Sequence, residues 1–213
     1  MGTSLRARLR FLLPLLVLAT ACGGPAMEGS DDGGLTTYLV LFAHERVGMD
    51  ERLAGPQFAL VGLVAIASRV AWPMVAERAA LPAESGLAML RRVALAAAGA
   101  VTVIALATVL GAPALWAGAV LAGLSSASWN ALAMLVVVRT SAPEAVAGAS
   151  ARVQGAFFLG LTVSPLVFGA LTDLGGSYPY GWAWTGLCFL AAWPLLRHGP
   201  AAVGLRRGRR RPR

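Results

Sequence analysis

Apolar residues in this chain of 213 residues fall in long unbroken runs, and the polar residues collect between them. A run of about 20 apolar residues, wound as a helix at ~1.5 Å per residue, covers the ~30 Å hydrocarbon thickness of a bilayer. Phe58–Ala76, Val93–Gly111, Ala114–Val138 and Val153–Thr172 are runs of this kind, and Gly181–Leu196 is a slightly shorter one. Two further pieces, Phe11–Cys22 and Leu35–Ala43, are each too short to cross alone. Placed end to end they reach ~31 Å, so they read as one span over 11–43, broken at GGPAMEGSDDGG. The pattern predicts an all-α polytopic membrane protein: a six-transmembrane-helix bundle over residues 11–197, a basic segment 1–10 before it and an arginine-rich tail 198–213 after it.

Composition strengthens this picture. Hydrophobic residues make up 57% and charged residues 13%, with a mean hydropathy of +0.69, against about 25% charged in soluble domains. The net charge of +8 belongs mostly to the ends, because seven of the 18 basic residues, all of them arginines, lie between Arg197 and Arg213. Nucleic-acid recognition needs its basic residues on a folded face, and that reading is set aside. The arginines also orient the chain. With the N-terminus inside, fifteen fall on one side of the membrane, Arg46 and Arg52 on the other, and Arg69 within a span. This bias obeys the positive-inside rule and puts both termini in the cytoplasm.

Two cysteines far apart and two histidines, His44 and His198, make neither a disulfide framework nor a metal pattern, and no cofactor is implied. Arg6, Arg8 and Arg10, the apolar run Phe11–Ala21 and the sequence Ala19-Thr20-Ala21-Cys22 are similar to the signal and lipobox of bacterial lipoproteins. A protein anchored at Cys22 is therefore a second reading of the opening segment. Glu28, Asp31 and Asp32 are solvated linker charges if the break loops out to water, and a proton or cation site if it faces a cavity.

Several polar residues lie within the spans. Ser125, Ser128 and Asn130 in the fourth and Gln154 and Thr162 in the fifth are costly against lipid, so they are expected to face the bundle interior or a cavity. Each serves either as interhelical glue or as a solute contact. Trp129, in the middle of its span, is placed as a cavity wall, whereas Trp182 and Trp184 read as interfacial anchors. Arg69 lies about seven residues, or ~10 Å, from the cytoplasmic end of its span, within reach of snorkelling or of a carboxylate partner. Gly160, Ser164 and Gly169 allow close helix approach and Pro165 invites a kink. Asp173 ends the apolar run.

The pattern Gly160-x-x-x-Ser164-Pro165-x-x-x-Gly169-x-x-x-Asp173-x-x-Gly176-x-Tyr178 resembles the eleventh helix of the major facilitator superfamily, with Ser164 where that family usually has glycine. TTYLVLFAHERVGMDERLAG, which contains Tyr38, resembles the end of its seventh helix and the following outer loop, here residues 44–57. Pro73-Met74-Val75-Ala76-Glu77-Arg78 is similar to its cytoplasmic signature G-x-L-A-D-R, with Glu77 and Arg78 in the acidic and basic positions and Pro73 replacing the glycine.

The resemblance implies the C-terminal six-helix half of a transporter in the cell membrane, moving a small solute by alternating access, with a coupled proton or cation. Either the chain is a truncated transporter, or a second six-helix half or a second copy of it would be its partner. An enzymatic alternative, a rhomboid-like intramembrane protease, rests on Gly123-Leu124-Ser125-Ser126 and needs a histidine facing Ser125.

Overall fold

The computed structural model describes residue 35, residues 37–78 and residues 83–195. Cys22, Asp31, Asp32, His198 and the arginine tail lie outside the described residues. Every regular element among the described residues is helical. They are α1 (residues 37–45), α2 (Glu51–Arg78), α3 (Ala83–Leu110), α4 (Ala112–Ser125), a 3₁₀ turn (Ser126–Ser128), α5 (Trp129–Thr140), a second 3₁₀ turn (Pro143–Ala145), α6 (Val146–Gly175) and α7 (Pro179–Leu195). Helices are what an apolar chain must form in lipid, where no water is present to satisfy peptide N–H and C=O groups.

Among the described residues, four stretches are long and apolar enough to cross a membrane: Gly55–Arg78, Gly86–Leu110, Ala112–Thr140 and Pro143–Gly175. They coincide with the second to fifth predicted spans. α7, over the sixth, has 17 residues and is ~26 Å long.

The element ends differ from the sequence expectation, for identifiable reasons. The loop expected over residues 44–57 shortens because Asp50 caps α2: its carboxylate accepts the Arg52 N–H at 2.9 Å. The helix therefore starts at Glu51, and Gln57 is buried on it. α3 starts ten residues before the apolar run, since Leu87, Leu90 and Val93 continue its buried face past Arg91 and Arg92. α6 likewise starts at Val146, with Ala149 and Val153 buried. Charge marks where water begins, and a helix can run on into water. Pro165 lies inside α6, which continues through it to Gly175 and is closed by Gly176 in the left-handed conformation at φ 67°.

Small residues bring the helices together. α3 and α4 form a hairpin around Gly111, whose φ of 78° suits glycine and whose N–H donates to the Ala107 carbonyl at 2.8 Å. Further along this pair, a Cβ on Gly118 would stand 2.9 Å from the Ile104 nitrogen and 3.0 Å from the Ala100 carbonyl oxygen. The two backbones are in contact there. Where α2 meets α4, a Cβ on Gly123 would stand 3.0 Å from the Val61 carbonyl oxygen.

Two apolar clusters result, one above the other. Near the α1 end of the bundle, Leu39, Phe42, Ile104, Leu115, Phe168 and Trp182 pack together with Val61 and Ala122. Near the opposite end, Leu90, Val93, Trp129, Leu132, Val136, Val153 and Phe157 form the second. Along α2, α3, α4–α5 and α6 the change from one cluster to the other falls at about the same level. Ser68, Ser125, Ser126, Ser128 and Ser164 are buried there. Trp182, expected as an interfacial anchor, is instead fully buried, edge-on to Phe42 at 5.3 Å and to Phe168 at 5.0 Å. Leu63, Ile66, Val70, Leu166 and Leu187 are exposed, an apolar exterior matched to lipid tails.

Gly118→Leu should destabilise the protein by about 1–3 kcal/mol, because two backbones must separate to admit the side chain. Gly99→Leu, where a Cβ meets nothing within 4 Å, should stay within about 0.5 kcal/mol. Thermal unfolding in detergent compares the two.

Candidate functional site

α4 and α5 make one stretch long and apolar enough to cross a membrane, interrupted near its middle. Ser125 leaves helical geometry at φ −109° and ψ −75°, and the chain passes through a 3₁₀ turn before α5 begins at Trp129. Such a break frees main-chain carbonyls at membrane depth, where each needs a donor. α2 supplies three. Ser68 Oγ donates to the Gly123 carbonyl at 2.8 Å, Arg69 Nε to the Ala127 carbonyl at 2.8 Å and Trp72 Nε1 to the Leu124 carbonyl at 2.8 Å. These donors lie within little more than one turn of α2, on the side that the close approach at Gly123 holds against the break.

The serines of the break complete its satisfaction locally. Ser125 Oγ donates to the Leu121 carbonyl at 2.6 Å and Ser128 Oγ to the Ser125 carbonyl at 2.7 Å. This is helix-internal bonding, so both serines belong to the scaffold. It also weakens the protease alternative, since the Ser125 hydroxyl is committed to a carbonyl, and the described histidine, His44, is on α1 with its Nδ1 3.3 Å from the Met49 carbonyl.

Beside the break is an open cleft of about 350 Å³ between α2, α5 and α6. Arg69 and Asn130 line it together with Ala131, Met134, Phe157, Phe158 and Leu161. Arg69 lies well inside α2, which continues for nine residues, or ~14 Å, beyond it to Arg78. Among the described residues the Arg69 partner is the Ala127 carbonyl, bound through Nε alone. Asn130 stands three residues after Ala127, on the same helical face. Its Oδ1 is buried and has no hydrogen-bond partner among the described residues. Trp129, expected as a cavity wall, is buried one layer back and stacks parallel to Phe157 with centroids 6.2 Å apart. Phe157 is the wall.

The other expected site residues lie elsewhere. Tyr38 stacks on Phe168 at 4.3 Å and donates to the Pro165 carbonyl at 3.0 Å. Its phenol also occupies the space that a Cβ on Gly169 would need. Tyr38, Pro165 and Gly169 therefore join α1 to α6. Gly160 is buried on α6. Thr162 is exposed and donates to the Phe158 carbonyl at 2.8 Å within its own helix, so it does not face the interior. Gln154 is half-buried with its Oε1 unpartnered among the described residues. Glu77, Arg78 and Asp173 are exposed near helix ends. Of the expected pathway residues, the structure joins Arg69 and Asn130 at the cleft, with Ser125 and Ser128 in the break beside it.

Ser68 and Trp72 were not legible as functional, although Ser68 is one of two polar residues in its apolar run. Glu45 and Tyr178 form a second polar contact. The Tyr178 phenol, in the turn between α6 and α7, donates to Glu45 at 2.7 Å while Arg46 lies 5.6 Å from its ring centroid. Burial first, and then the hydrogen bond to Glu45, push this phenol well above its ordinary value of 10.0.

With this geometry established, the chain was compared with known protein families, curated proteins and solved structures, and none of them matches it.

Removing the Ser68 or Trp72 donor, by Ser68→Ala or Trp72→Phe, should cost about 0.6–2 kcal/mol each, the range of interhelical hydrogen bonds in membranes. Thr162→Ala, which removes an exposed bond within one helix, should stay within about 0.5 kcal/mol. Unfolding in mixed detergent micelles measures all three. The phenol of Tyr178 sets a pH window. A raised value in the folded state means that its contribution is complete below pH 10.0 and is lost as pH rises further. Ultraviolet titration should find this tyrosine ionising after the ordinary ones, and Glu45→Gln should bring it down part of the way.

Proposed function

We propose that this chain is a multi-pass protein of the cell membrane that forms one half of a small-solute pathway, in the manner of the C-terminal six-helix half of a major facilitator transporter. The observation that carries this reading is the cleft lined by Arg69 and Asn130 at the level between the two apolar clusters. A charged side chain near the centre of a membrane helix costs about 2.5–3.5 kcal/mol on insertion scales. A guanidinium kept at that depth, with no carboxylate against it among the described residues, fits a wet pathway better than a lipid-facing one.

The cleft is open along one side, so a second wall is needed to enclose a solute. That wall comes from another six-helix half or from a second copy of the chain, and rocking of the two walls gives alternating access. A coupled proton or cation would use the acidic segment at Asp31 and Asp32. The arrangement has six crossings with both termini cytoplasmic. Arg78, Arg91, Arg92, Arg139 and Arg152 then share the inner side, and Arg46 and Arg52 the outer. The turns between successive helices support this sidedness, since helices joined by short connections pack antiparallel.

A single cysteine at Asn130 should react with a charged, membrane-impermeant thiol reagent, whereas one at Leu63, which is 65% exposed on the apolar exterior, should not. An unreactive Asn130→Cys from both sides of the membrane would contradict a wet pathway. Reconstituted as a monomer, the chain should show no saturable uptake, because its pathway has one wall.

A further inference from the structure

We propose that the Arg69–Asn130 cleft binds an amphipathic oxyanion: a carboxylate or phosphate with a hydroxyl or N–H beside it and an apolar body behind. The proposal rests on the reading of this cleft as open to a solute, and it names the class of that solute.

Three features of the lining select this chemistry. Arg69 spends Nε on the Ala127 carbonyl, which fixes the plane of its guanidinium against the broken helix. Its remaining N–H groups have no partner among the described residues, and a guanidinium fork matches the two oxygens of a carboxylate or phosphate. Among the described residues no acidic one lines the cleft, so none of them repels an anion.

Asn130 contributes the second feature. Its buried Oδ1 is an acceptor without a donor. A buried acceptor left unpaired is costly, and a ligand hydroxyl or N–H would supply what the protein does not. Asn130 follows the Arg69 anchor, Ala127, by three residues, so its amide lies beside the guanidinium at the cleft, and the shielded Oδ1 meets a ligand donor once that amide turns outward. Met134, Phe157, Phe158 and Leu161 are the third feature, an apolar floor for the ligand body. A volume of about 350 Å³ lies at the small end of ligand sites.

A free organic acid and an anionic lipid headgroup share this chemistry. Mandelate, an aromatic 2-hydroxy acid, is a suitable probe for the first, and phosphatidylglycerol, a phosphate with neighbouring hydroxyls, for the second. The full chain is placed in nanodiscs of phosphatidylcholine, with or without phosphatidylglycerol. Mandelate binding is read by equilibrium dialysis and retained lipid by native mass spectrometry.

Mandelate should bind in phosphatidylcholine at least about tenfold more tightly than the neutral mandelamide, and Arg69→Gln should remove that preference. Leu161→Trp fills the cleft without touching the bonds to the broken helix, so it tests the site where Arg69→Gln might fail to fold. It should abolish binding. Competition between mandelate and phosphatidylglycerol, or selective retention of that lipid by wild type and not by Leu161→Trp, would also support the site and identify the headgroup as an occupant. Equal binding of mandelate and mandelamide, binding unchanged by Leu161→Trp, or neither mandelate binding nor lipid selectivity would overturn the proposal. Those failures with Asn130→Cys still reactive would leave the transport reading standing. Intact anion binding with an unreactive Asn130→Cys would remove the transport reading instead.

Discussion

The architecture depends on how the main chain of one interrupted helix is satisfied inside a membrane. A helix carries its own hydrogen bonds, and any departure from it leaves carbonyls that lipid cannot serve. Between Ser125 and Ser128 the α4–α5 crossing departs, and Ser68, Arg69 and Trp72 answer with three donors from a neighbouring helix. Those bonds require α2 to lie directly against the break, which explains why Gly123 has no room for a side chain there. They also explain the depth of Arg69. Its place in the membrane is fixed by a main-chain acceptor, and the part of the guanidinium left over is what the cleft presents.

The two apolar clusters follow from the same constraint. A polar level cannot be packed like a hydrocarbon core, so the apolar side chains gather above and below it. At one end the aromatic rings of Tyr38, Phe42, Phe168, Tyr178 and Trp182 lock α1, α6 and α7 together, and Tyr178 with Glu45 carries the lock out to the polar surface. At the other end Trp129 and Phe157 join α5 to α6. Polar residues therefore do two different jobs here: hydroxyls and the Trp72 indole are consumed by the scaffold, and Arg69 and Asn130 keep unused capacity.

What the sequence made legible follows from how local each signal is. The four long apolar stretches were readable because the length of an apolar run is a local property. Helix ends were read less well: Arg91 and Arg92 signal water, but Leu87 and Leu90 go on packing and the helix continues with them. The break at Ser125–Ser128 has no proline or glycine inside it to announce it. Its donors come from residues 52 to 58 positions earlier in the chain. A serine cluster that looked like a row of pathway groups is, in three dimensions, a joint. Trp182 shows the same limit, since a tryptophan close to a span end looks like an interfacial anchor until its neighbours Phe42 and Phe168 are known.

The joint also decides which parts can move independently. α2, α3 and α6 run unbroken through both apolar clusters, so they couple the two ends of the bundle rigidly. Among the described residues, the α4–α5 stretch alone passes through a 3₁₀ turn between the clusters, and carbonyls at that turn are held by α2. Bending at the break would have to detach three donors together, leaving the Gly123 and Ala127 carbonyls without their α2 donors in a medium of low dielectric constant, while Leu124 keeps only the longer bond from Ser128 Oγ at 3.2 Å. α2 and the joint therefore move as one body. The α6 side of the cleft is joined through the Trp129–Phe157 stack and the apolar contacts around it. A change in cleft width is thus cheapest as a displacement of α6 relative to the α2–joint unit, which alters the distance from the Phe157 and Phe158 floor to Arg69 without exposing a single main-chain carbonyl.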